Sequence, residues 1–174
     1  MNQSRLPDST EEHPIVSREF ARLRAAGREP LNLHKTAAHA PQLLAPLLDL
    51  IHAARHECQT SRRLRELVIV RTAQIEESDY ELAHHLRMAR EAGIDDSELA
   101  ALAEWRDSGR FDERERAALA FAEHIAAGSR RDDAALDRLF TPREIVELTM
   151  TASCYVMIAR AIRAWDVRLE DAAA

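Results

Sequence analysis

The sequence has few of the residues that disulfide scaffolds, turns and aromatic cores depend on. Aromatic residues make up 5% of the 174 residues, and there are 4 glycines and 2 cysteines. Ala, Leu, Arg and Glu are abundant instead, and these residues lose little side-chain freedom in a helix. No stretch alternates apolar and polar residues as a half-buried strand does. The composition therefore predicts an all-α protein.

The two cysteines are too far apart along the chain to form a local metal or redox motif. Cys58 and Cys154 make no C-x-x-C pair, which argues against a zinc site, a disulfide scaffold and a dithiol couple. We expect both to be reduced, buried thiols.

An excess of positive charge and a long apolar run are also missing. The net charge is −6 with both signs mixed along the chain, so there is no basic face to neutralise nucleic-acid phosphates. No run approaches the roughly 18 to 20 uncharged apolar residues that a bilayer crossing needs, and the N-terminus is polar. We therefore expect a cytoplasmic protein that binds neither nucleic acid nor membrane.

The length predicts one domain with a sizeable core. Residues 1–13 lack helical periodicity and are predicted to be a flexible lead-in, whereas residues 14–174 are predicted to form one helical domain. Apolar periodicity and capping signals predict successive helices over about residues 15–26, 31–40, 41–57, 60–75, 78–93, 95–108, 112–128, 132–139 and 141–165.

The most informative stretch covers residues 63–93 and joins two of these helices at a polar break. Glu66 lies among apolar residues on the first helix, and Ser78, Glu81 and His85 share one face of the second by their spacing. Contact between Glu66 and His85 would give a proton-transfer pair that works near neutral pH. Because Glu66 lies about three turns from the break, the sequence leaves this contact open.

Each of these residues also has a structural interpretation. Ser78 and Glu81 form an S-x-x-E pattern, which is typical of a capping box, and capping is the favoured interpretation because the chain repeats such patterns elsewhere. Glu66 alone could pair with an arginine such as Arg63 or Arg71. His85 alone could be a hydrogen-bonded core histidine.

Two patterns that contain histidine have the spacing of metal ligands on a helix. Glu81 and His84 form the Glu-x-x-His motif of helical di-iron bundles, but such a bundle needs a second copy and two further glutamates. His52 and His56 share a helix face, which solvent exposure explains. We therefore predict no metal and no cofactor.

Three segments resemble the carboxymuconolactone decarboxylase and alkylhydroperoxidase D-like proteins. They lie within about Leu31–Asp171 and read LNLHKTAAHAPQLLAPL, LRELVIVRTAQIEESDYELAHHLRMAREAGI and EIVELTMTASCYVMIARAIRAWDVRLED. The resemblance implies an all-helical alkylhydroperoxidase D-like fold with its site at the central helix pair. It also implies a homo-oligomer, either a trimer or a hexamer.

The resemblance further implies which site residues of the family this chain keeps. In the thiol peroxidase branch, a C-x-x-C opens the second helix, a histidine follows the second cysteine by four residues, and a glutamate precedes the first by twelve. That histidine corresponds to His85 and that glutamate to Glu66. The cysteines correspond to Ser78 and Glu81, so the thiolate pair is missing and peroxidase activity is not expected.

The decarboxylase branch is the better guide, because its chemistry on a lactone carboxylate needs acid and base groups and no cofactor. We predict a decarboxylase or a related lyase or isomerase that acts on a small organic acid or lactone, with Glu66 and His85 as catalytic residues. Arg71 or Arg87 would hold a substrate carboxylate. The alternatives are a non-catalytic ligand-binding or assembly protein and, last, a thiol peroxidase. Four residues are predicted to bind the substrate: Tyr80, Glu81, His84 and Arg71.

Overall fold

The regular secondary structure of this protein is helical throughout the residues that a computed structural model describes, which are 5–7, 9–129 and 134–170. This confirms the predicted all-α class. The helices are α1 (Pro14–Ala25), α2 (Asn32–Ala37), α3 (Pro41–His56), α4 (Arg62–Ile75), α5 (Asp79–Glu91), α6 (Asp96–Ala101), α7 (Glu113–Ala127), α8 (Ala134–Leu139) and α9 (Pro142–Trp165), with a 3₁₀ turn at Trp105–Asp107 between α6 and α7.

One predicted helix bound differs from the structure, and another lies outside the described residues. The helix expected to run from Asp95 or Asp96 through Trp105 ends at Ala101, and Trp105 lies in the separate 3₁₀ turn. Its indole Nε1–H donates to Glu123 at 2.9 Å, a contact that the sequence pattern does not reveal. The predicted start of α8 at Asp132 lies outside the described residues.

The predicted lead-in makes defined contacts where it is described. The Ser9 hydroxyl donates to the Lys35 carbonyl at 2.7 Å, and the Glu11 carboxylate accepts from Arg24 at 2.9 Å. Residues 1–4 and 8 lie outside the described residues. The division into a lead-in of residues 1–13 and one domain of residues 14–174 stays a prediction.

The described residues fall into two compact units, whose boundaries lie within α3 and α9. The first contains the described residues of 1–52 and 161–174. In its core, the apolar face of α1 packs against α3, and half-buried Trp165 packs there too. The buried side chains of these two helices are Val16, Phe20, Leu23, Leu44 and Leu48.

The second unit contains residues Ala53–Arg160 and is organised around α4. All seven residues from Leu64 to Val70 are buried. Leu67 and Val70 pack with residues that include Ala89 of α5 and Leu119 of α7. The opposite side of α4 packs on a second cluster, from α7, α8 and α9. Four consecutive apolar residues cannot share one stripe, so the sequence correctly predicts a helix buried on most sides.

The long helix α9 is apolar enough to resemble a membrane span by length and composition. Its 18-residue window has a mean hydropathy of 1.4, and 44% of that window is buried. Leu148 and Ala152 pack in the core beside α4. A helix in the core of a protein can have the same length and apolar composition, so α9 is weak evidence for a membrane span. The expected absence of membrane binding stays a prediction.

Hydrogen bonds from α4 and α9 hold the connection between α3 and α4. The Glu147 carboxylate of α9 accepts from the backbone N–H groups of Gln59 at 3.0 Å and Thr60 at 2.9 Å. Buried Arg65 of α4 donates to the carbonyls of Thr60 and Arg55. Backbone N–H and carbonyl groups of the connection are therefore hydrogen-bonded to side chains of α9 and α4. The bond from Arg65 to the Arg55 carbonyl also holds the last turn of α3.

Glu147→Gln is expected to weaken this connection. Burial alone would raise the pKa of Glu147, but the N–H groups of Gln59 and Thr60 and the Arg143 guanidinium outweigh burial and lower the pKa to about 2. The stabilisation is therefore present above pH 4.5 and is lost as the pH falls towards 2. At neutral pH the free energy of unfolding should fall by about 1 to 3 kcal/mol.

Urea unfolding of the wild type and of the Glu147 variant measures this loss, with exposed Glu104→Gln as the matched control. The difference between the wild type and Glu147→Gln should shrink on acidification, whereas Glu104→Gln should stay close to the wild type throughout. Equal effects of the two substitutions would contradict the assigned role of Glu147.

Candidate active site

A tight break between α4 and α5 turns the chain back on itself. Glu77 adopts the left-handed region with φ 52°, and the Ser78 N–H donates to the Ala73 carbonyl at 2.9 Å. Farther from the break, the Arg62 guanidinium binds Glu91 at 2.9 Å. Residues of α4 that lie farther from the break contact residues of α5 that also lie farther from it. The two helices are therefore antiparallel.

This packing brings Glu66 and His85 together. Glu66 Oε2 lies 2.8 Å from His85 Nδ1, and the two residues are 3% and 4% exposed. On the other side of the ring, His85 Nε2 lies 3.4 Å from Oε2 of Glu81, which is also 4% exposed. One imidazole is thus held between two buried carboxyl groups. The contact that the sequence left open is present, and the catalytic role of both residues stays a prediction.

The capping interpretation is right for Ser78 and wrong for Glu81. Ser78 Oγ accepts from the Glu81 N–H at 3.4 Å and forms the N-cap of α5. A complete box would need the Glu81 carboxylate to reach back to the Ser78 N–H, as Glu98 and Glu115 do at their own helix starts. The Glu81 carboxylate instead points towards His85, one turn farther along α5.

Burial shapes the protonation of this cluster. Burial raises the pKa of Glu81 to about 7; the positive charge of Arg55 opposes the shift, and the Glu66 carboxylate adds to it. Burial lowers the pKa of His85, although the hydrogen bond to Glu66 acts in the opposite direction. When Glu66 is ionised and accepts from Nδ1–H, the Nε2 lone pair faces Glu81. Near neutral pH a proton can therefore pass between Glu81 and His85.

Two residues of α9 complete the surroundings, and the sequence analysis did not identify either as part of the site. Buried Tyr155 packs edge-on against His85, with ring centroids 4.8 Å apart at 87°. Burial raises the pKa of Tyr155 well above 10, so its phenol stays protonated. Burial and the charge of Glu81 raise the pKa of Cys154 to about 11. The tyrosine hydroxyl in a mostly apolar stretch of α9 is the sequence feature that could have indicated a role for Tyr155.

The other residues predicted to bind substrate have different surroundings. Tyr80 and His84 lie on α5 next to the pair, with ring centroids 4.8 Å apart. Arg71 binds Glu123 at 2.9 Å, and exposed Arg87 binds Glu91 at 2.9 Å. Both guanidinium groups already have carboxylate partners, so neither is a free ligand for a substrate carboxylate.

Arg55 is the cationic residue that the structure brings to the site. Its Nη2 lies 2.8 Å from the Met88 sulfur, and Met88 follows His85 by one turn on α5. Its charge acts on the pKa of Glu81, His85 and Tyr155. Arg55 could not be identified from the sequence, because α3 shows only an amphipathic pattern there.

The metal hypotheses gain no support in the described part of the chain. There, no group of three or more His, Cys, Asp or Glu residues is placed to hold a metal ion. In the Glu-x-x-His motif, the Glu81 carboxylate points towards His85, whereas the His84 ring packs at a tilt against Tyr80. The expectation that no metal or cofactor is needed stays a prediction.

The site lies within a segment that matches a known family. The model of the carboxymuconolactone decarboxylase family matches residues 41–124. The resemblance expected from the sequence is confirmed, although the family match is shorter than the predicted span of Leu31–Asp171. Glu66, Glu81 and His85 lie inside the matched segment. A comparison with curated proteins found no significant match.

Three solved structures share the fold over nearly the whole chain. An uncharacterized peroxidase-related protein from Silicibacter sp. TM1040 has 21% identity and a TM-score of 0.80, covering 98% of this chain and 93% of that chain. The alkylhydroperoxidase AhpD core of an uncharacterized peroxidase-related protein from Ralstonia eutropha JMP134 has 20% identity and a TM-score of 0.80, covering 98% and 94%.

The third is a cysteine-to-alanine variant of the debrominase Bmp8 in complex with 2,3,4-tribromopyrrole, with 20% identity and a TM-score of 0.78. It covers 98% of this chain and 93% of that chain. At these identities the similarity shows the fold alone. The predicted alkylhydroperoxidase D-like fold is confirmed.

Proposed function

We propose that this protein is a cofactor-independent acid/base enzyme, a decarboxylase or a related lyase or isomerase, that acts on a small organic acid or lactone. The observation that carries the proposal is the His85 imidazole between the buried carboxyl groups of Glu66 and Glu81. Paired titratable groups whose surroundings move their pKa values are typical of acid/base sites. The match of residues 41–124 to the model of the carboxymuconolactone decarboxylase family supports the same class.

The decarboxylation step needs one proton and no redox partner. The bond between the substrate carbon and its carboxylate breaks, the electron pair moves into a conjugated carbonyl, and carbon dioxide leaves an enolate. His85 Nε2 takes a proton from Glu81 and gives it to the enolate carbon, while Glu66 stabilises the imidazolium through Nδ1–H. Glu81 regains a proton from solvent. A lyase or isomerase would use the same proton transfers.

The test is turnover of carboxymuconolactone and related lactone acids by the wild-type protein without any addition. We expect loss of substrate and release of carbon dioxide or an isomer at a rate that a metal chelator does not change. Failure to transform any of these acids, or turnover that requires an added metal, cofactor or thiol reductant, would overturn the proposal.

A second candidate is a non-catalytic ligand-binding or assembly protein. The burial of Glu66, Glu81 and His85 favours it, because internal hydrogen bonds alone satisfy much of their polar character. This candidate expects His85→Ala to lower the free energy of unfolding in a protein that transforms none of the acids tested. Turnover by the wild type decides against it.

The thiol peroxidase alternative requires a reactive thiolate. Burial raises the pKa of Cys58, and burial raises the pKa of Cys154 to about 11. We therefore expect iodoacetamide to alkylate native Cys154 about 100-fold more slowly than an unfolded cysteine at neutral pH, because only the thiolate reacts. Mass spectrometry of timed samples, with the urea-unfolded chain as the control, measures the rates. Alkylation of Cys154 at the unfolded rate would favour thiol chemistry.

We also propose a cytoplasmic homo-oligomer, a trimer or hexamer as the family resemblance implies, whose other partner is the small-molecule substrate. Three apolar residues lie on one exposed stripe of α9 and would be covered by a second copy of the chain. They are Val146, Met150 and Met157, which are 61%, 46% and 46% exposed. Light scattering should show that Met150→Glu lowers the molar mass; a monomeric wild type would contradict this proposal.

A further inference from the structure

Arg55 is a half-buried arginine whose guanidinium has no carboxylate partner within the described part of the chain. Its Nη2 faces the Met88 sulfur at 2.8 Å, and a thioether is a weak acceptor. Its Nε is buried and makes no hydrogen bond to any described residue. Arg71, by contrast, binds Glu123, and Arg160 binds Glu76. The Arg55 guanidinium therefore has hydrogen-bonding capacity that no described residue uses fully.

The guanidinium lies beside the acid/base residues. Glu81, His85 and Met88 follow one another at spacings of four and three residues, so they share one face of α5. Contact with Met88 places the Arg55 guanidinium one turn beyond His85 along that face. The titratable groups that face this region come from α4, α5 and α9, and they are Glu66, Glu81, His84, His85, Cys154 and Tyr155.

The backbone of Arg55 is fixed before any ligand binds. Its carbonyl accepts from Nη2 of Arg65 at 2.9 Å, and Arg65 is buried and also binds the Thr60 carbonyl. A guanidinium on a fixed backbone loses less conformational freedom when it binds an anion.

We infer that Arg55 binds a carboxylate of the substrate, one that the reaction does not remove, and thereby selects small organic anions. The inference rests on the proposed acid/base function. The planar fork of a guanidinium matches a carboxylate and forms two parallel hydrogen bonds with it. An anion held there would lie within one helical turn of His85.

A simple counter-charge role for Arg55 is the structural alternative. Arg55 would then pair with Glu66 or with Glu81, whose pKa the charge of Arg55 lowers. The ion pairs among the described residues join Arg55 to neither of them. Nη2 of Arg55 contacts the Met88 sulfur instead, at the margin of the buried cluster.

The methyl group of Met88 reports directly on this site by NMR. The chain has four methionines, and Met150 and Met157 lie on the exposed stripe of α9, where they serve as internal controls. Titration of the full chain with acetate or benzoate should shift the ¹³C-methyl signal of Met88 in a saturable way. Acetamide and benzamide, which have similar shapes and no charge, should leave it in place. Met150 and Met157 should not respond to either set.

Substitutions at Arg55 decide whether its guanidinium binds the anion. Arg55→Gln should abolish the response of Met88 to benzoate, and Arg55→Lys should weaken benzoate binding about tenfold or more, because an ammonium lacks the fork. The matched control Arg87→Gln, an exposed arginine on α5, should bind benzoate as the wild type does. The Met150 and Met157 signals report whether each variant is folded.

Three results would overturn the inference: no response of Met88 in the wild type, an equal response to benzamide, or a response that persists in Arg55→Gln. The proposed function fails separately. If the wild type binds benzoate through Arg55 and yet transforms none of the acids, that result would support the binding site and overturn the enzyme proposal. If Arg55 binds the substrate, the KM of Arg55→Gln should rise about tenfold or more. Turnover by the wild type with an unchanged KM in Arg55→Gln would therefore support the enzyme proposal and overturn the binding role of Arg55.

Discussion

His85→Ala is expected to lower kcat by about 100- to 10,000-fold on any acid or lactone that the wild type transforms. His85 is the group that takes the proton from Glu81 and delivers it to substrate carbon, and alanine has no group that can replace it. His84→Ala is the matched control for kcat, because His84 is the adjacent histidine and its ring packs at a tilt against Tyr80, with centroids 4.8 Å apart. This control should keep most of the wild-type kcat, and the predicted contact of His84 with the substrate should appear as a change in KM.

Steady-state kcat and KM for both variants measure the effect. Circular dichroism and thermal unfolding show whether each variant keeps the helical fold. Equal losses in His84→Ala and His85→Ala would indicate a structural effect on α5 rather than proton transfer. Unchanged rates in folded His85→Ala would remove His85 from the mechanism.

Glu81→Gln is expected to change the way stability depends on pH. Burial raises the pKa of Glu81 in the folded protein from 4.5 to about 7. The folded state therefore holds a proton that the unfolded state releases, and the wild type loses stability as the pH rises from about 4.5 to 7. A shift of this size corresponds to a free energy on the order of 3 kcal/mol. Glutamine cannot ionise, so the variant should gain stability relative to the wild type across that range.

The same substitution should lower activity, because glutamine cannot supply the proton that His85 transfers. In the wild type, kcat should fall as the pH rises above about 7, where Glu81 loses its proton. Urea unfolding at several pH values and kcat profiles measure both effects, with exposed Glu77→Gln as the control. A Glu81→Gln protein whose stability follows the wild type at every pH would contradict a buried, protonated Glu81.

The helices and the buried centre of α4 could be predicted because they depend on local periodicity. Four consecutive apolar residues in α4 require burial on most sides, and the structure shows it. The contact between Glu66 and His85 could not be predicted, because it depends on how α4 and α5 cross after the break. The left-handed Glu77 that allows this return is not evident in the sequence.

The sequence predicts Glu81 as part of a cap because its S-x-x-E pattern has the same spacing as the true capping boxes at Asp95 and Asp112. The distinguishing signal is the histidine one turn later at position 85, which gives the Glu81 carboxylate another partner. Arg55 and Tyr155 come from α3 and α9, far from α5 along the chain. No local spacing relates them to His85, so their position beside it is seen in the packed structure.

The central claim is that carboxyl groups and an imidazole, without a thiol, carry the reaction. Turnover by the Cys58→Ala/Cys154→Ala double variant, measured beside Glu66→Gln on the same acid, tests it most directly. We expect the cysteine-free protein to keep most of the wild-type kcat, and Glu66→Gln to lose about 100-fold or more, because His85 then lacks the charge that stabilises its imidazolium. Loss of activity without the cysteines, or full activity in Glu66→Gln, would contradict the claim.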